Sequence, residues 1–126
     1  MRRLTILLCA VLAICTGICV ANQALINPVL DEAHKLATEA RMAMERGDPD
    51  GARESVVALA TVWKERGAVM EVFCDHEDLH SVKECIIQAG ICLEEDMEDF
   101  YAFISLAGEG IEHIREEEAV RGLNLL

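Results

Sequence analysis

The chain has 126 residues, 52% of them hydrophobic and only 4% aromatic, and a net charge of −12. That length holds one small domain and leaves little room for a separate active-site layer. Few aromatics and two prolines among abundant Ala, Leu and Glu exclude a sheet-rich fold and favour helices. The charge is also lopsided, since every acid lies beyond residue 30, and from Glu71 onward 15 acids face only Lys83, Arg115 and Arg121. Such a surface excludes nucleic acid and anionic headgroups and favours basic partners or divalent cations, while serving also as an ordinary solvated face.

Residues 1–21 form a membrane anchor or signal segment. Arg2 and Arg3 precede 18 uncharged residues, Leu4 to Ala21. As a helix this run is about 27 Å long, close to the thickness of a bilayer's hydrocarbon. An uncleaved anchor is the expectation, because a signal peptide's apolar core is usually shorter. Cys19 and Ala21, small residues at −3 and −1, keep open cleavage after Ala21 and secretion of the product. The two arginines hold the N-terminus inside, so residues 22–126 are expected to form an extracytoplasmic domain.

Asn27-Pro28 supplies a cap and a proline suited to a first helical turn. Val29, Ala33, Leu36, Ala37, Ala40 and Met44 then recur at helical spacing. Gly47 ends that helix, and Asp48-Pro49 opens the next after a turn short enough to make the two antiparallel. From Pro49 the stripe Ala52, Val56, Leu59, Trp63, Met70, Phe73 runs nearly in phase with His76, Leu79, Val82, Ile86, Ala89 and Leu93. It predicts one long helix over 49–93, bent near Gly67, although Asp75 with Asp78 can also cap a fresh helix. Asp96 caps a last helix carrying Phe100, Phe103, Ile104, Ala107, Ile111 and Ile114, weakened by Gly108 and Gly110. The fold expected is therefore all-α, an N-terminal transmembrane helix followed by an antiparallel domain of about three helices.

Cys9, Cys15 and Cys19 fall in the apolar run, leaving Cys74, Cys85 and Cys92 as an odd three. On one helix Cys85 and Cys92 lie about 10 Å apart, beyond disulfide reach, so these read as small core residues.

His76-Glu77-Asp78-Leu79-His80 matches the helical zinc-protease pattern, with two imidazoles one turn apart and a Glu beside them. Asp78 puts a charge inside that motif, no sheet is visible to hold a peptide, and Glu94, Glu112 and His113 compete as a third ligand. Counting from a turn at Glu95, His76 and His113 stand level in a hairpin, and Trp63 stands level with Leu125-Leu126. His76 then reads as a core or boundary histidine and Trp63 as a packing anchor. His76, His80 and His113 are the metal candidates if a metal is found.

The chain resembles the bacterial family catalogued as domain of unknown function 4363. The resemblance rests on Trp63, the run from Phe73 to Leu79, Ile111-Glu112-His113-Ile114, Glu118 and Leu123-Asn124-Leu125, and covers essentially the whole chain. His80 departs from it, standing where such sequences more often carry an acidic or polar residue. The resemblance implies a small membrane-anchored helical protein of bacteria and supplies no activity. The leading expectation is a non-catalytic interaction or envelope module, with no cofactor, no nucleic-acid partner and no identifiable small-molecule substrate. It is tethered to the membrane through residues 4–21 and open to a protein partner. The alternatives are a divalent-metal or pH sensor using His76 and His80, and a small zinc metallopeptidase.

Overall fold

The computed structural model of the chain describes residues 1–95 and 97–124. Helices α1 (Arg2–Glu45), α2 (Pro49–Phe73), α3 (His76–Glu95) and α4 (Met97–Asn124) take up nearly all of them, with no strand among the described residues. Helix α1 packs beside α2 and α4, and α3 packs beside the same two, so that α1 stands diagonally across the core from α3.

The core repeats one spacing on every helix. Buried residues alternate steps of four and three: Ile26, Leu30, Ala33, Ala37, Ala40 and Met44 on α1, and Phe100, Ile104, Ala107, Ile111 and Ile114 on α4. Ala52, Val56, Leu59 and Trp63 do so on α2, as do Leu79, Val82, Ile86 and Ala89 on α3. A mean step of 3.5 keeps one seam facing its neighbours along a helix, the requirement for knobs-into-holes packing in a bundle. Small residues on α1 (Ala33, Ala37, Ala40, Ala43) let the larger side chains of α2 and α4 approach its backbone.

Two boundaries differ from the sequence expectation. No new helix starts at Asn27-Pro28, because α1 runs unbroken through Pro28. A proline inside a helix costs about 3 kcal/mol, but Ile26, Val29 and Leu30 around it are all buried, and their burial offsets that loss. Nor is there one helix over 49–93. It ends at Phe73 because Cys74 is extended (φ −109°, ψ 161°). Asp75 then caps α3, its Oδ1 accepting the Glu77 N–H at 2.8 Å and its carbonyl the Leu79 N–H at 3.1 Å. The bundle therefore has four helices rather than about three. Helix α2 passes Gly67 without interruption.

The turn after α1 follows the expected chemistry. Gly47 takes φ +76°, the Asp48 N–H reaches the Ala43 carbonyl at 2.9 Å and the Gly47 N–H reaches that of Met44 at 3.0 Å, which together make a Schellman cap. Asp48 Oδ1 accepts the Gly51 N–H at 3.0 Å, and Pro49 opens α2. The expected Asp96 cap and the partner position of Trp63 at Leu125-Leu126 lie outside the described residues.

The two glycines of α4 are not equivalent. A Cβ at Gly110 would sit 2.7 Å from Val82 Cγ2, whereas one at Gly108 would meet nothing within 4 Å. Val82 is buried and β-branched, so it cannot swing aside. Gly108→Ala is expected to stabilise the protein by up to about 1 kcal/mol through helix propensity. Gly110→Ala should destabilise it by about 1–3 kcal/mol through overpacking. Chemical denaturation of the two variants followed by circular dichroism checks the opposite signs.

Candidate functional site

The first turn of α3 carries the protease-like string, and the structure sets its two histidines on the surface. His76 is the first residue of α3 and is exposed, not packed in the core. Its apparent phase with Phe73 and Leu79 assumed a helix that is in fact interrupted between them. His80 is also exposed, with Nε2 3.7 Å from Glu84 Oε1 on the same face. Both histidines border an open groove of about 610 Å³ between α2 and α3, which Lys64, Lys83 and the edge of Trp63 also line. Trp63 itself is buried, and its Nε1–H donates to the Leu79 carbonyl at 3.2 Å, tying α2 to α3. Phe73, the last residue of α2, is half-buried against the core.

The acids named as third ligands are engaged elsewhere. Glu94 accepts from Arg53 at 3.0 Å, joining α3 to α2 far along the helix from His80. Glu112 lies 3.9 Å from His34 Nε2 and 3.4 Å from Arg115, whose guanidinium also pairs with Asp31 of α1. His113 does not stand beside His76. It faces Asp78, two residues further along α3, and has Nε2 3.2 Å from Glu117 Oε1. Among the described residues, Asp78, His113 and Glu117 form a set of three whose ligand atoms all lie within 4.8 Å of one another, and neither His76 nor His80 belongs to it. The signal in the sequence was the i,i+4 spacing of His113 and Glu117, which places both on one helical face.

A second polar cluster sits where the two halves of α1 meet. Glu118 is only 5% exposed, the one charged residue among those described to be buried. It occupies the core slot four residues after Ile114. Its Oε2 accepts from Asn22 Nδ2 of α1 at 3.3 Å, and its Oε1 accepts from Arg121 Nη1 at 3.2 Å. Arg121 also donates to the Phe73 carbonyl at 3.1 Å, closing the open end of α2. The buried Cys74 thiol lies beside Glu118 as well. Burial, and then the Glu118 charge, push that thiol up from an ordinary 9.0 to about 12, so it stays protonated and unreactive at neutral pH. Burial likewise raises the Cys85 thiol. One cluster thus joins α1, the α2–α3 junction and α4, a structural knot with no nucleophile in it.

Neither cluster assembles a nucleophile, an activating base and an oxyanion-stabilising group around one open position. Comparison of the chain with protein families, curated proteins and solved structures finds no match.

Proposed function

We propose that the chain is a single-pass membrane protein whose N-terminus lies inside, and which holds an antiparallel four-helix bundle outside the membrane as a non-catalytic interaction or envelope module. One observation carries the reading. Helix α1 is apolar and long enough to cross a membrane, and no residue of its most apolar 18-residue window is buried, although its second half is a core helix of the bundle. So much exposed apolar surface requires hydrocarbon or a partner around it. Arg2 and Arg3 favour the inside position of the N-terminus.

Residue pairs across the bundle support the antiparallel part of the proposal. Asn22 and Asp31 of α1 meet Glu118 and Arg115 of α4, and Arg53 and Trp63 of α2 meet Glu94 and Leu79 of α3. In each case numbers rise along one helix as they fall along the other. The interaction role is supported by Val57, Val72, Ile87, Ile91 and Leu106, apolar side chains left exposed on an otherwise acidic bundle.

Cell fractionation tests the tether. The full chain should sediment with membranes, resist extraction by high salt, and lose the domain from residue 22 onward to protease added from outside. Recovery of a soluble product beginning at Asn22 would replace the anchor with a cleaved signal segment.

A further inference from the structure

The geometry points to a binding site for one divalent cation of the zinc class, built by Asp78 of α3 with His113 and Glu117 of α4. Helix α4 supplies two of the ligands on one face, one turn apart. Packing of α3 against α4 brings the half-buried Asp78 against them, so the third ligand comes from a different helix and is held by the fold.

The separations fit a small cation. Ligands on a tetrahedral zinc at about 2.0–2.1 Å stand about 3.3 Å from one another. His113 Nε2 and Glu117 Oε1 already stand 3.2 Å apart, and the full set lies within 4.8 Å, within reach of modest side-chain rotation. One imidazole nitrogen with two carboxylates suits zinc and its first-row neighbours. Calcium needs six to eight oxygens, which three residues with one nitrogen do not provide. Three protein ligands leave a coordination position for water. A surface with 15 acids and three bases from Glu71 onward further concentrates cations at this end of the chain.

Without a cation, His113 and Glu117 form an ordinary i,i+4 pair on α4, and such a pair has no use for Asp78. A bound cation requires all three residues and cross-links α3 to α4. The site is separate from the His76–His80 pair and does not depend on the chain being a membrane protein.

The test is isothermal titration of zinc chloride into the full chain in detergent micelles after treatment with a chelator. The expected result is one zinc per chain, with Asp78→Asn and His113→Gln each weakening affinity at least about tenfold. A His76→Gln/His80→Gln double variant should bind as the wild type does. Zinc should also raise the melting temperature of the wild type but not of His113→Gln, while circular dichroism shows the same helix content in both. Should Asp78→Asn lose helix content, Glu117→Gln on the half-exposed flank takes its place with the same expected loss. Absence of zinc uptake, full affinity in the Asp78 and His113 variants, or loss only in the His76/His80 variant would each overturn the site. So would displacement of zinc by equimolar calcium, which would mark a diffuse acidic surface.

Discussion

Trp63→Ala is expected to destabilise the protein by about 3–5 kcal/mol, the range for removing a buried large aromatic. That is a large share of what a domain of this size possesses. Trp63 is 6% exposed and is the bulkiest residue on the α2 seam. Its loss removes a whole ring from a core filled mainly by Ala, Val, Leu and Ile, which cannot collapse onto a cavity that large. It also leaves the Leu79 carbonyl without the Nε1–H that now reaches it at 3.2 Å. That bond spans α2 and α3, so the damage falls on the contact between these two helices. Trp63→Phe keeps most of the packing and should lose nearer 1–2 kcal/mol, roughly one hydrogen bond with a small volume change. Because this is the sole Trp of the chain, far-UV circular dichroism rather than intrinsic fluorescence must follow the denaturation. An unchanged midpoint in Trp63→Ala would mean that the indole contributes nothing to the core.

Glu118→Lys should be equally damaging, at about 3–5 kcal/mol, because it leaves a buried charge uncompensated. The new ammonium would face Arg121 in place of the carboxylate that Arg121 now meets at 3.2 Å. It would also strip Asn22 Nδ2 of its acceptor, in a side chain whose Oδ1 is already buried without a hydrogen-bond partner among the described residues. Two neighbouring substitutions sharpen the reading. Glu118→Leu restores an apolar residue to a core slot and should change stability by only about 1 kcal/mol in either direction, as replacements of buried ionic groups by hydrophobic ones often do. Arg121→Ala takes the guanidinium from the enclosed carboxylate and should lose about 1.5–3 kcal/mol, less than Glu118→Lys because Arg121 itself is more than half exposed and Asn22 still donates to Glu118. Denaturation curves that place Glu118→Lys and Glu118→Leu at the same midpoint would show that the carboxylate is not enclosed.

Most of the core was legible in the sequence. The stripes on α1 and α4 were read from spacing alone, and Val29, Ala33, Ala37, Ala40, Phe100, Ile104 and Ile111 are all buried. Boundaries were less legible, for a physical reason in each case. Pro28 reads locally as a start, and only the burial of its neighbours against the rest of the bundle carries α1 through it. The break at Cys74-Asp75 was masked because the residues after it resume almost the same phase, so periodicity registers no gap. That masking also misplaced His76, which looked like a core residue only on an uninterrupted helix. The partner of His113 was missed by two residues because the count between the two helices was centred one residue too early. Shifting the centre of a hairpin by one residue moves every cross-pair by two. Glu118 was invisible to periodicity as a core position, since a charged residue in an apolar slot reads as a blank in the stripe.

The continuity of α1 has a mechanical consequence. With no loop between them, its apolar half and its core half are one continuous helix, and their azimuths are locked together. A 44-residue helix is about 66 Å long, and any tilt imposed on its first turns swings the far end of the bundle like the end of a lever. Rotation is transmitted as well. Each residue turns an α-helix by about 100°, so one alanine inserted among residues 22–25 would re-aim Asn22 away from Glu118 or turn the apolar half by that angle against the bundle. A flexible tether would absorb such an insertion, whereas here the register between the two halves is a fixed phase that the buried carboxylate holds in place.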